Sequence, residues 1–142
     1  MAVVQTPIPV YYDIMSYRVL IADDAGFVRE LLIQACEALG YVVVGEAVDG
    51  EDAIAMALKL RPDIILMDLV MPKYNGLEAT ERILEKLPEI DVIACSSLDD
   101  ETTLNQALKK GCKAFLRKPF SKQSILSVFQ QIDTQRRGMK NA

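Results

Sequence analysis

The stretch Arg61-Pro-Asp-Ile-Ile-Leu-Met-Asp68 shows the pattern on which the fold depends. Its centre is a short apolar run without alternating polar residues. Such a run is typical of a β-strand that is covered on both faces, as strands of parallel sheets are. The aspartate that follows lies where open parallel sheets bind their ligands, outside the carboxyl ends of the strands. The stretch therefore predicts a buried parallel strand that ends in a functional carboxylate.

The same kind of run recurs along the chain and alternates with amphipathic stretches. Strands are predicted at residues 18–22, 41–44, 63–67, 91–95 and 113–117. Apolar residues at helical spacing predict helices from Val28 to Leu39 and over 51–60, 76–87, 100–110 and 121–135. Strict alternation implies a parallel sheet with helices on both faces, and five strands are too few for a closed eightfold barrel. The predicted fold is an α/β, open, doubly wound αβα sandwich.

Composition divides the 142 residues into three parts. Residues 1–16 contain two prolines and no periodic pattern, which predicts an N-terminal extension. This extension is either a loosely held tail or a segment that docks on the domain or on a partner through Val10, Tyr11, Tyr12 and Ile14. Residues 17–135 form the predicted domain, and residues 136–142 form a polar, basic C-terminal tail.

Composition also excludes several kinds of site. The chain has no histidine, which rules out His-based catalytic triads and His-ligated zinc. Three scattered cysteines predict free thiols in a reducing compartment. The net charge of −4 disfavours non-specific nucleic-acid binding, and no apolar run has the length of a membrane span. We therefore expect a cytoplasmic protein that neither binds nucleic acid directly nor inserts into a membrane.

Polar residues follow the predicted strands. Asp23 and Asp24 follow the first strand, Asp68 the third, Ser96 the fourth and Lys118 the fifth. Each of them alone is most often a turn former or a helix cap. Because the carboxyl ends of parallel strands meet at one edge, we expect these five side chains to lie close together. The prediction is specific because five such residues fall at the same edge of the sheet.

Clustered carboxylates repel each other unless a cation lies among them. Without histidine or thiolate ligands, an oxygen-only site suits Mg²⁺. A phosphoryl group is the natural partner of a Mg²⁺ ion that lies next to a lysine. Asp68 could then attack phosphorus in line and form an acyl phosphate.

Six motifs occur in order along the chain: Val19-Leu-Ile-Ala-Asp-Asp24, Arg61 to Asp68, Met71-Pro72, Asn75-Gly76-Leu77-Glu78, Ser96 after an apolar strand, and Lys118-Pro119-Phe120. With these motifs, residues 17–135 resemble the receiver domain of two-component response regulators. The resemblance implies a flavodoxin-like sheet with strand order 2-1-3-4-5, which is a known example of this fold class. It also implies a phosphorylation-dependent signalling function rather than an enzyme that acts on other molecules.

The resemblance gives each residue at the edge a role. Asp68 would be the phosphorylated residue. Mg²⁺ would be held by Asp24 directly, by Asp23 through water, by Asp68, and by the backbone carbonyl of Val70. Lys118 would contact the phosphoryl group.

The resemblance also implies a switch. Ser96 would move to a phosphoryl oxygen and draw its loop inward. Phe115 stands at the position of a switching aromatic residue, and the alternative is an ordinary half-buried strand residue. The Lys118–Pro119 bond would be cis. Phosphorylation would shift the populations of two states that differ at the face formed by the fourth helix, fifth strand and fifth helix.

Because the chain has no histidine, the phosphoryl group would come from a separate histidine kinase or phosphotransfer protein. Few residues follow the last predicted helix, so we expect output through a downstream protein partner, as in a chemotaxis-type regulator or a phosphorelay intermediate. The alternative is that the chain is the receiver of a longer regulator. A monomer and a phosphorylation-dependent dimer both remain open.

Several positions depart from the family pattern. Asn75 replaces an acidic residue before a glycine, and Ser97 stands where a small residue is usual. Val70 and Leu98 are apolar at positions that flank the path of the attacking water in members of the family that the chain resembles, so we hypothesise that they slow hydrolysis of the acyl phosphate. A flavodoxin-type flavin carrier is disfavoured, because Asp23 and Asp24 would repel its phosphate. A pseudo-receiver that binds a partner without phosphorylation remains the alternative.

Overall fold

The computed structural model describes residues 16–98 and 100–140, except for the side chains of residues 139 and 140. Strands and helices alternate throughout these residues. The elements are β1 (Arg18–Ala22), α1 (Gly26–Ala38), β2 (Val42–Ala47), α2 (Gly50–Leu60), β3 (Ile64–Asp68), α3 (Gly76–Lys86), β4 (Asp91–Ser96), α4 (Glu101–Lys109), β5 (Ala114–Arg117) and α5 (Lys122–Lys140). The strands form one parallel sheet in the order β2-β1-β3-β4-β5, which confirms the predicted fold and strand order.

Side chains alternate between the two faces of the sheet, and each face has its own apolar core. In β3, Ile65 and Met67 pack against α2, α3 and α4, while Ile64 and Leu66 pack against α1 and α5. Every residue of β3 is buried, as expected for a strand covered on both sides. The three cysteines are buried free thiols. No helix within the described ranges combines the length and apolar character needed to cross a membrane.

Local sequence signals set the ends of several helices. Gly40 and Gly111 have φ angles of 88° and 108°, so they terminate α1 and α4 in a conformation that glycine adopts without strain. The backbone N–H of Ser124 donates to Ser121 Oγ over 3.0 Å, so Ser121 caps α5 as predicted. Asn75 caps α3 in the same way through the N–H of Glu78, which explains how an amide is tolerated there.

The predicted end of the last helix at residue 135 is wrong, because α5 continues to Lys140. Arg136 anchors the added turn through its Nε, which lies 2.6 Å from Asp91 Oδ2 at the start of β4. Arg137 pairs with Asp133 one turn earlier. The sequence showed only polar, basic residues there, and the partner on β4 is visible only in the fold. The second strand is also longer than predicted and ends at Ala47.

The predicted division of the chain remains a prediction. Residues 1–15 lie outside the described residues. They include the apolar side chains that would dock on the domain or on a partner in one of the two interpretations.

Candidate functional site

Three carboxylates meet at the carboxyl edge of the sheet. Ala22 in β1 is in register with Met67 in β3, so Asp23 and Asp68 emerge side by side from adjacent strands. One oxygen each from Asp23, Asp24 and Asp68 lies within 4.8 Å of the others. Asp23 and Asp68 are buried, whereas Asp24 is exposed. The pocket therefore concentrates negative charge beneath one solvent-facing carboxylate.

The ammonium group of Lys118 enters this pocket from the end of β5. Its Nζ lies 2.7 Å from Asp23 Oδ2 and 3.4 Å from Asp68 Oδ1. The backbone N–H of Lys118 donates to the carbonyl of Ser96, which ties the β5 end to the β4 end. The Lys118–Pro119 bond is cis, as predicted. One ammonium among three carboxylates leaves the pocket with an excess of negative charge.

The environment shifts the pKa values of two groups in the pocket. Burial is the largest cause that raises the pKa of Asp68, and the charge of Asp23 raises it further. The N–H of Val70 and the charge of Lys118 oppose this rise. Burial alone would lower the pKa of Lys118, but its hydrogen bond to Asp23 and the charge of Asp68 outweigh burial, so that pKa is raised. The pocket therefore keeps Lys118 charged, while it disfavours the charged form of Asp68 relative to water.

The donor set fits a hard divalent cation. All three side chains offer oxygen, which Mg²⁺ prefers, and none offers nitrogen or sulfur. Asp24 makes no hydrogen bond or ion pair with the described residues, so its carboxylate is available. Asp23 is already engaged, because its Oδ1 accepts from the N–H of Ala25 and its Oδ2 accepts from Lys118.

Comparison with known proteins agrees with this architecture. The sequence model of the response regulator receiver domain matches residues 19–130. The chain belongs to this family. A chemotaxis protein CheY from Thermotoga maritima is 36% identical over 118 residues, which are 83% of this chain and 98% of that protein.

Solved structures of receivers superpose on this one. The receiver domain of AraT, a response regulator from Geobacillus stearothermophilus, has a TM-score of 0.79 at 30% identity, over 87% of this chain and 98% of that one. CheY in a CheX–CheY–BeF₃–Mg²⁺ complex from Borrelia burgdorferi has a TM-score of 0.75 at 33% identity, over 80% of this chain and 89% of that one. This protein is therefore a CheY-like receiver in both sequence and fold.

The two residues that the resemblance assigned to a switch lie on the adjacent strands β4 and β5. Ser96 is buried at the end of β4, and its Oγ accepts from the backbone N–H of Leu98 over 2.9 Å. Phe115 is half-buried on β5 and packs against the core beneath α2, α3 and α4. Val70 and Leu98 are 62% and 52% exposed, so two apolar side chains project into solvent from the loops after β3 and β4.

Sequence reasoning missed the residues that hold the pocket loops in place. Arg29 donates from Nε to Glu46 and from a terminal nitrogen to the carbonyl of Asp23, each over 2.8 Å. Gly50 packs so closely against the loop after β3 that a Cβ would lie 1.8 Å from the carbonyl oxygen of Tyr74. A glycine directly after the capping residue Asp49 was the available signal for such a close approach.

Proposed function

We propose that this receiver accepts a phosphoryl group on Asp68 from a phosphohistidine of a histidine kinase or phosphotransfer protein, in a reaction that depends on Mg²⁺. The observation that carries the proposal is the placement of the buried Asp68 carboxylate. It lies 3.4 Å from the Lys118 ammonium and within 4.8 Å of two further carboxylates. This arrangement provides a nucleophile, a fixed positive charge and a set of oxygen ligands for a cation.

The chemistry is a transfer between two covalent carriers. A carboxylate oxygen of Asp68 attacks phosphorus, an O–P bond forms, and the P–N bond to the donor imidazole breaks. Lys118 supplies positive charge to a phosphoryl oxygen. Its raised pKa keeps it protonated for this role. When bound, Mg²⁺ supplies the remaining charge neutralisation between the carboxylates and the incoming phosphoryl group.

Asp24 would contribute most directly to the cation, since its carboxylate is exposed and has no partner among the described residues. Asp23 would act through water, because Lys118 and Ala25 already occupy its two oxygens. Asp68 and the carbonyl of Val70 would complete the protein ligands. The similar CheY from Borrelia burgdorferi is found in a complex with CheX, BeF₃ and Mg²⁺, which supports a Mg²⁺ site in this domain.

The phosphorylated state would act on a downstream protein through the face formed by α4, β5 and α5. Ser96 would exchange its hydrogen bond with the Leu98 N–H for one with the phosphoryl group, which moves the loop before α4. Phe115 on β5 would respond from its half-buried position. The domain would work in the cytoplasm, without direct contact to nucleic acid, as a monomer or as a dimer that phosphorylation favours.

Intact-mass measurement after incubation with acetyl phosphate tests this proposal. We expect one phosphoryl adduct in the parent, formed only with Mg²⁺ and absent from Asp68→Asn. Asp63→Asn is the matched control, because Asp63 directly precedes β3 at the opposite edge of the sheet. It should still form the adduct. If the parent forms none under any condition, the pseudo-receiver function replaces this proposal.

A further inference from the structure

We propose that residues 46–51, called the β2–α2 connection because they run from the end of β2 into the first turn of α2, position both loops of the metal site although they contribute no metal ligand. The inference rests on the proposed function, since it concerns the Mg²⁺ site at Asp23, Asp24, Asp68 and Val70. It assigns a positioning role to a segment that lies outside the acidic pocket.

The connection first holds the loop after β1. The N–H of Asp23 donates to the carbonyl of Ala47 over 3.0 Å, so the backbone before the carboxylate is tied to the end of β2. The carbonyl of Asp23 accepts from Arg29, whose Nε is in turn paired with Glu46. The Arg29 side chain is only 18% exposed, which favours one geometry. The N–H of Asp23 is therefore held by Ala47 directly, and its carbonyl is held by Glu46 through Arg29.

The connection also holds the loop after β3. The first backbone N–H groups of a helix lack partners inside the helix. In α2 these groups are satisfied in two ways. The Asp49 side chain accepts from the N–H of Asp52, while the N–H groups of Gly50 and Glu51 donate to carbonyls of the β3–α3 loop. The acceptors are Pro72 at 3.1 Å and Lys73 at 2.9 Å.

The held loop has an unfavourable backbone conformation. Lys73 and Tyr74 have φ angles of 49° and 65°, in the left-handed region that non-glycine residues rarely adopt. The absence of a side chain at Gly50 lets α2 approach this backbone closely enough to bond it. The guanidinium of Arg82 on α3 lies over the Tyr74 ring, 4.8 Å from its centroid, and adds a contact to this loop. These contacts offset the strain of the two residues.

The far end of the same loop closes on the metal site. The N–H of Gly76 donates to the carbonyl of Leu69 over 3.1 Å, so the segment between residues 69 and 76 is tied at both ends. Val70, whose carbonyl is the proposed ligand, lies inside it. Supporting contacts around metal ligands commonly affect affinity about 10- to 100-fold. The β2–α2 connection is thus a shared support for the two loops.

Two variants at Glu46 separate positioning from charge. Glu46→Gln and Glu46→Ala remove the same negative charge, but only glutamine keeps an acceptor for Arg29. We expect Glu46→Ala to weaken Mg²⁺ binding about tenfold, measured by titration calorimetry with Mg²⁺ alone, and Glu46→Gln to stay much closer to the parent. Equal loss in both variants, or no loss in either, would overturn the positioning role of Glu46.

Gly50→Ala tests the second loop, with Gly138→Ala as its control, because a Cβ at Gly138 meets nothing within 4 Å. In metal-free buffer we expect faster amide exchange across residues 70–76 in Gly50→Ala and parent-like exchange in Gly138→Ala. Unchanged exchange refutes the inference. Amide exchange needs no bound metal, so it tests the positioning role even if the parent binds no Mg²⁺. A failure of the parent to bind Mg²⁺ would refute the proposed function instead. Should Gly50→Ala not fold, the Glu46 pair still tests the support of the loop after β1.

Discussion

Replacing Asp68 by asparagine should stabilise the folded receiver in metal-free buffer near neutral pH. The substitution removes a charge but keeps the shape and the oxygen that accepts from the Val70 N–H. At an effective dielectric constant of about 20, Coulomb's law gives at least about 3.5 kcal/mol of repulsion for a carboxylate oxygen within 4.8 Å and about 5 kcal/mol of attraction for an ammonium at 3.4 Å. The exposed Asp24 adds a repulsion that solvent screens more strongly, so the pairwise terms largely cancel.

Burial, the largest cause of the raised Asp68 pKa, therefore decides the sign. A carboxyl whose pKa is higher in the folded than in the unfolded state favours folding at acidic pH, and this contribution is lost as the pH rises through the folded-state pKa. The energy scale is about 1.4 kcal/mol per pKa unit. We expect Asp68→Asn to increase the free energy of unfolding at pH 7 relative to the parent.

Urea unfolding of both proteins in chelator, across a pH series, measures this difference. It should shrink toward zero as the pH falls below 3.8, the unfolded-state value for this carboxyl. Saturating Mg²⁺ should reverse the order, because a ligand at 100 times its Kd stabilises a protein by about 2.7 kcal/mol and Asp68→Asn has lost one ligand. A less stable Asp68→Asn in chelator at pH 7, or a difference independent of pH, would refute this reasoning.

Three further outcomes follow from the same structure. The double variant Val70→Asn, Leu98→Glu should lose its acyl phosphate several-fold faster than the parent, because polar side chains would replace the exposed apolar pair beside the attacking water. Intact mass measured over time follows the decay, and decay at the parent rate would contradict this expectation. Arg136→Ala should lower the free energy of unfolding by about 1–3 kcal/mol, since it removes the partner that lies 2.6 Å from the Asp91 carboxylate on β4. Urea unfolding measures the loss, and a change within error would show that the α5 extension is not anchored there. Gly76→Ala should lower the free energy of unfolding by at least about 2 kcal/mol in the same assay, because its Cβ would lie 2.1 Å from the carbonyl oxygen of Asp68. A stability equal to that of the parent would mean that the loop shifts freely.

The regular parts of the fold and the residues at its edge could be predicted from the sequence. Apolar runs and helical spacing are local patterns, so they indicate strands and helices without knowledge of the packing. The order of the motifs then predicted which side chains meet at the carboxyl edge, and Asp23, Asp24, Asp68 and Lys118 do meet there. Residue types alone indicated oxygen ligands, since the chain has no histidine.

The tertiary structure alone decided how those groups are partnered. Lys118 bonds Asp23, 95 residues away in sequence, more closely than it contacts Asp68. Arg29 reaches Glu46, and the first turn of α2 holds the loop after β3. Such pairs depend on strand register and on how closely helices approach. A local sequence pattern carries no record of either, because each distance is set by elements that are far apart along the chain. The sequence by itself therefore determined which groups the site contains, and the packing of β2 and α2 against the neighbouring loops decided how they are held.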